Sequence, residues 1–241
     1  MTLELPGNDP FAVALTSAIQ HGEIAVLRRL FSANPALATA RIVDARGARR
    51  TLLHVVADWP GHFPDAALTA VVLIKAGADV NATMPHPTEP DVAETPLHWA
   101  ASSDDVDLID ALLDNGANLE APGAVFTGGS PMSDAVVFAQ WKAARRLLDR
   151  GAKTTIWQAA ALGQLDRVQR TIDQAKPDEI TNALWHACRG GQLAAAKLLL
   201  ERGADRNWIG YEGKTAVDAA QDSGAEDLIQ WLRDHGASAT T

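Results

Sequence analysis

One interval recurs through this sequence and narrows what the chain can become. Thr95 and Gly116 lie 21 positions apart, and the same separation joins Ser130 to Gly151, Asn182 to Gly203 and Thr215 to Gly236. Val13 and Asn34 repeat it with Asn in the place of Gly, and Thr154 and Ala175 repeat it with Ala. Thr51 and Gly77 are 26 apart, so that unit carries five extra residues, placed around Trp59-Pro60-Gly61-His62-Phe63-Pro64. Repetition on this scale means an array of small supersecondary units. A unit of two helices cannot cover its own apolar face, so each must lean on the next.

The chemistry inside the interval says what the unit is. Thr95-Pro96-Leu97-His98 is followed by Ala100-Ala101, then Leu112-Leu113, then Gly116-Ala117-Asn118; Thr51-Leu52-Leu53-His54 leads in the same way to Gly77-Ala78-Asp79. Thr or a substitute at each marker is a helix N-cap, and Pro96 and Pro131 fall at the first helical position, where a missing N–H costs nothing. In the second helix Val106, Ile109, Leu112 and Leu113, and again Ala194, Lys197, Leu198 and Leu199, recur at helical spacing, and Gly116 or Gly203 supplies the left-handed stop. This order resembles the ankyrin repeat, over nearly the whole chain.

The resemblance implies an all-α fold, an ankyrin-repeat α-solenoid of about seven helix-pair repeats joined by short β-hairpin-like fingers. The repeats fall near 9–40, 47–82, 91–121, 126–153, 154–176, 178–207 and 211–238 of a single domain, 1–241. The markers at 13, 51, 95, 130, 154, 182 and 215 are spaced by 38, 44, 35, 24, 28 and 33 residues, against about 33 for a regular ankyrin array. Two residues between Gly151 and Thr154 are too few for a finger, so one is shortened or missing there. Asp218 and the polar stretch from Ser238 to Thr241 fit a terminal cap.

Composition removes several function classes from the expectation. The formal charge is −9 and no long Lys/Arg run occurs, which disfavours nucleic acid and anionic membrane surfaces as partners. Cys188 is the one cysteine, so a disulfide within the chain and a cysteine zinc cluster are excluded. Neither a signal-peptide pattern at Met1–Pro10 nor an apolar run of membrane length is present, and a cytoplasmic, soluble protein is expected. No phosphate loop, nucleophile elbow or His-Glu-x-x-His helix appears, and no cofactor or metal is expected.

The resemblance also places a partner, a protein or peptide, along the finger tips and inner helices, the concave face of such arrays. Carried onto this sequence, the positions that face it include Asp58, Trp59, Trp99, Ser102, Ser103, Asp134, Phe138, Gln158, His186 and Arg189. Trp and Arg dominate many interfaces. Trp157 and Trp185 replace the signature His and turn to the core. His54 and His98 keep that His, as neutral, buried rings bonding between neighbouring turns, since the first turn of a helix disfavours the imidazolium. The alternative is a small-molecule-binding protein or enzyme with an aromatic-walled pocket and Asp58, His62, Asp134 and His186 as acid/base candidates, since a carboxyl beside an indole can have a raised pKa. The insertion at Asp58–Pro64 reads as a rigid loop able to fold over one end of the groove. The connection from Ala82 to Glu94, with Pro85, His86, Pro87 and Pro90, reads as an extended finger.

Overall fold

A computed structural model describes residues 2–85 and 92–240 of the chain. They form two compact units, Met1–Ala152 and Lys153–Thr241. The first unit holds four helix pairs: α1 (Pro10–Gln20) and α2 (Ile24–Ala33), α3 (Leu52–Val56) and α4 (Ala66–Lys75), α5 (Pro96–Ser102) and α6 (Val106–Asp114), α7 (Pro131–Val137) and α8 (Trp141–Asp149). The second holds three: α9 (Ile156–Ala161) and α10 (Leu165–Thr171), α11 (Pro177–Arg189) and α12 (Leu193–Glu201), α13 (Ala216–Ser223) and α14 (Glu226–Asp234). The seven pairs follow chain order, as the recurring interval requires.

Within each unit the pairs stack in layers. In the first, α1, α3, α5 and α7 contact one another in sequence, and α2, α4, α6 and α8 do the same; in the second, α9, α11 and α13 form one layer and α10 meets α12. Small side chains allow the odd-numbered helices to approach closely: Ala100, Ala101, Ala135, Ala159, Ala160, Ala183 and Ala187 are fully buried. The approach of α9 to α11 is so close that a Cβ on Gly190 would lie 2.1 Å from the Ala161 carbonyl oxygen.

Turns close as the sequence implies where glycine is present. Gly77, Gly116, Gly151, Gly203 and Gly236 all hold positive φ, the left-handed stop that a Cβ disfavours. Asn34 (φ −144°) and Ala175 (φ −80°) do not adopt it; a short 3-10 turn follows Asn34 at Pro35–Thr39, and another, Ile172–Gln174, leads into Ala175.

Three helix starts differ from the expected markers. Thr51, Thr95, Ser130 and Thr215 are N-caps as expected, but α1 is capped by Asp9 rather than Val13, α9 by Thr155 rather than Thr154, and α11 by Lys176 rather than Asn182. Pro10 starts α1 about one turn early and Pro177 starts α11 nearly two turns early, because proline is pre-set for the first helical position. The apolar face of the second helices is also shifted. In α6 the buried side chains are Leu108, Ile109 and Leu112, and in α12 they are Ala195, Ala196 and Leu199, with Leu198 half-buried.

Strands are few. β2 (Arg41–Val43) and β3 (Arg49–Thr51) make one antiparallel finger, to which β1 (Glu4–Pro6) adds in parallel on β2, and β4 (Met84–Pro85) pairs with β5 (Ala93–Glu94) in a second. The tip of that second finger, with His86, Pro87 and Pro90, lies outside the described residues. Between α6 and α14 no strand occurs among the described residues, in keeping with shortened or missing fingers.

Candidate functional site

The repeat chemistry positions the site from below. Thr95 caps α5 and sends its backbone N–H to His98 Nδ1 at 3.1 Å, while His98 Nε2 donates to the Gly129 carbonyl at 3.3 Å. His54 does the same one repeat earlier, bonded to Thr51 Oγ1 at 2.7 Å and donating from Nε2 to the Glu94 carbonyl at 3.1 Å. Burial lowers both imidazole pKa values from 6.5 to about 4, so both rings are neutral, as the sequence implies. In α11 the signature His is Trp185, only 2% exposed, whose indole N–H donates to the Lys214 carbonyl at 3.0 Å. All three acceptor carbonyls belong to the residue just before the next N-cap.

One position beyond His98, Trp99 stands half-buried between neighbouring repeats of the first unit. Its Nε1–H donates to Glu94 Oε2 at 2.9 Å, and its ring meets the edge of His54 at 5.1 Å. The other Glu94 oxygen, Oε1, accepts the Val125 N–H at 3.3 Å. The matching position in α7 is Asp134, 1% exposed, hydrogen-bonded to Glu94 and with its Oδ2 lacking any partner. Burial, reinforced by the Glu94 charge and the hydrogen bond to it, raises the Asp134 pKa from 3.8 to about 9. Asp134 therefore keeps its proton at neutral pH.

Around this pair the surface is aromatic. Phe138, at the end of α7, is 41% exposed and tilts against Phe126, 69% exposed, at 5.8 Å. Trp59 is 83% exposed. Its loop is fixed from beneath: the His62 N–H donates to Asp105 Oδ2 at 3.1 Å, and Gly61, with positive φ, passes so close to Ser103 that a Cβ would come within 2.8 Å of it. Asp105 caps α6 through its other oxygen, on Leu108 N–H at 3.1 Å, so the insertion is anchored to the third helix pair. Asp58 forms an ion pair with Arg50 and accepts the Trp59 N–H at 3.0 Å. Ser102 donates to the Trp99 carbonyl at 2.9 Å.

The second unit carries its own aromatic cluster. His186, 4% exposed, packs against Trp157 at 4.6 Å, Trp185 at 5.1 Å and Tyr211 at 5.5 Å. Burial, then the Arg189 charge, pulls its pKa down to about 3, and its Nδ1 lacks a hydrogen-bond partner. Arg189 lies 5.4 Å over the Trp185 ring and 3.8 Å from Glu212. Gln158 is buried at the start of α9, where its side-chain oxygen accepts the Thr155 N–H at 2.8 Å.

Within the first unit the acid/base candidates are not joined to one another. Among the described residues, no hydrogen bond or ion pair joins Asp58, His62 and Asp134 to one another, and His62 is exposed in its loop; His186 is a residue of the second unit. Nor does any group of three or more His, Cys, Asp or Glu side chains converge there as a metal would require. No helix among the described residues is long and apolar enough to cross a membrane. Glu94, Phe126 and Tyr211 were not among the expected site residues, and only the place of Glu94, directly before the Thr95 signature, hinted at a role.

Comparison with known proteins agrees with the helix-pair architecture. A family model of three copies of ankyrin repeats matches residues 156–241, and one of a single ankyrin repeat matches residues 94–124. An ankyrin repeat-containing protein of Treponema pallidum is 32% identical over 133 residues, which are 55% of this chain and 38% of that protein. An ankyrin repeat and KH domain-containing protein of Caenorhabditis briggsae is 30% identical over 190 residues, 74% of this chain and 7% of its own length. The chain thus spans well under half of either relative. The crystal structure of the human ASB11 ankyrin repeat domain is similar with a TM-score of 0.53 at 22% identity, covering 90% of this chain and 96% of that one.

Proposed function

We propose, from the premise that this chain is an ankyrin-repeat protein, that it binds a protein segment on the face that the odd-numbered helices and the connections preceding them make within a unit. Ankyrin repeats are generally protein–protein interaction modules. The observation that carries the reading is where large apolar side chains stay exposed. Phe11 and Val13 lie on α1, Trp59 in the loop after α3, Phe126 before α7 and Phe138 at its end, and Ile209 and Tyr211 before α13; of the eight exposed large hydrophobics among the described residues, Leu68 alone lies on an even-numbered helix. Folding leaves such groups in water at a cost that a partner can recover, and aromatic anchors of this kind dominate interface energies.

Asp58, Trp59, Trp99, Ser102, Ser103, Asp134 and Phe138 form the proposed contact set of the first unit, and Gln158, His186 and Arg189, with Tyr211, that of the second. In the second set Gln158 and His186 act from below, since both are buried. A cytoplasmic location is part of the proposal, and the single cysteine, Cys188, held buried as a thiol, is in keeping with it.

Peptides selected from a displayed random library against the full chain provide the test. Trp59→Ala and Phe138→Ala, which remove exposed side chains, should weaken a selected peptide about tenfold or more, whereas Leu68→Ala should leave it unchanged. Equal affinity in all three variants would refute the face.

A further inference from the structure

We infer that a small carboxylate with a hydrocarbon body binds in the groove between α2 and α4, with Arg28 and Lys75 holding its charged end. Every other even-numbered helix carries acidic residues, whereas α2 and α4 carry none. α2 brings Arg28 and Arg29, and α4 brings Lys75. These two neighbouring helices thus hold positive charge alone, in a chain whose formal charge is −9.

Other junctions of even-numbered helices are closed by opposite charges. Asp110 on α6 meets Arg146 on α8 at 3.4 Å and Arg150 at its end at 2.8 Å, and Asp114 meets Arg150 at 2.6 Å. In the second unit Arg202, after α12, reaches Asp173, after α10, at 2.6 Å. Between α2 and α4, by contrast, Arg28 and Lys75 line one groove, and among the described residues neither forms an ion pair. Lys75, in the last turn of α4, complements the negative end of that helix. Arg28 lies in the middle of α2, where no such end is near. Like charges across a groove repel, and an anion between them turns that repulsion into attraction.

The groove selects the kind of anion. Its volume is about 470 Å³, within the range of small-molecule sites. Phe31 and Val72, nearly buried, give it an apolar floor beside Pro35, and Ser32, one turn after Arg28 on α2, adds a hydroxyl. A bare inorganic anion would engage the cations and leave the floor in water. A neutral hydrocarbon would cover the floor and leave the repulsion. An alkyl carboxylate does both: the Arg28 guanidinium forks onto its two oxygens, the Lys75 ammonium and the Ser32 hydroxyl donate to the remaining lone pairs, and the chain covers the floor. All of these groups can be reached from solvent, since Arg28, Ser32 and Lys75 are exposed. The groove lies on even-numbered helices, apart from the protein-binding face proposed above, so the two sites can be occupied independently.

The test follows the backbone amides of Ser32 and Ala76 by NMR in the nitrogen-15-labelled full chain. The probes are octanoate, hexanoate, acetate, 1-octanol and octylammonium. Octanoate should shift both amides saturably and bind about three- to tenfold more tightly than hexanoate, since two methylenes fewer are covered. It should bind at least about tenfold more tightly than acetate, 1-octanol or octylammonium, each of which lacks one half of the complementarity. Arg28→Gln and Lys75→Gln should each weaken octanoate about fivefold or more, and the double variant about tenfold or more. Octanoate should raise the melting temperature of the native chain and leave that of the double variant unchanged. 1-Octanol or octylammonium binding as tightly as octanoate, or native affinity in the double variant, overturns the two-cation site. Acetate binding as tightly as octanoate overturns the hydrocarbon body. Trp59→Ala should leave octanoate binding unchanged; shifts centred on Trp59 and Phe138 instead of Ser32 and Ala76 would overturn the assignment to this groove, whatever the outcome for peptides.

Discussion

Acidification should unfold the first unit through its signature histidines, by an amount that the structure sets. His54 is fully buried, and burial lowers its pKa from 6.5 to about 4. The unfolded chain therefore takes up the proton first as pH falls. The stability contributed by the neutral ring is complete above about pH 6.5 and is lost progressively down to about pH 4. At about 1.36 kcal/mol per pH unit, that interval amounts to about 3 kcal/mol. The perturbation is His54→Gln, which keeps a neutral hydrogen-bonding side chain but cannot titrate. Urea unfolding of both proteins at about pH 7, 5.5 and 4.5, followed by circular dichroism, gives the difference in stability at each pH. All other titrating groups are common to the two chains and cancel. The native protein should lose about 2–3 kcal/mol relative to the variant between about pH 6.5 and 4.5. A difference that stays constant with pH would refute the neutral, buried imidazole and the bond to the Glu94 carbonyl with it.

Further outcomes follow from the same packing. Leu199→Ala should cost about 2–5 kcal/mol in urea unfolding, and Leu198→Ala distinctly less, because Leu199 is fully buried and Leu198 only half-buried. Trp185→Phe removes the indole N–H that serves the Lys214 carbonyl and part of a buried ring, and should lower stability by about 1–3 kcal/mol by thermal unfolding. Ala139 occupies the left-handed region at φ 55°; Ala139→Gly should raise the melting temperature, with a gain of up to about 1 kcal/mol.

Much of this architecture was legible before any coordinate. The recurring interval located the seven helix pairs, because a left-handed stop and an N-cap each need particular side chains: Gly116 and Thr95 can be read directly. It failed where substitutes stood in. Val13 has no capping side chain, and Asn182 and Thr154, although able to cap, lost the role where Pro10, Pro177 and Thr155 set the helix start. The face of α12 was misread by one position because a run of Ala and Leu gives little amphipathic contrast, leaving packing against α11 to choose among them.

The site was only half legible. Trp99 and Asp134 follow from their place after the signature His, but nothing in the sequence says that Glu94, 40 residues before Asp134, will meet it. That pairing depends on how one repeat stacks on another, and the irregular spacings hide the register. Trp185 was read as a core residue; that its indole would replace the imidazole as donor to the next repeat depends on a carbonyl contributed 29 residues later. The insertion read as a rigid loop, and its anchorage to Asp105 and Ser103 is likewise a tertiary fact.

The central claim is that this protein meets its partner with the odd-numbered helices and the loops beside them. Hydrogen exchange of the full chain, with and without a peptide selected to bind it, tests that most directly. Slower exchange should appear at residues 58–63, 94–103, 124–138 or 208–212, with α2, α4, α6 and α8 unchanged. Protection confined to those even-numbered helices would contradict the account.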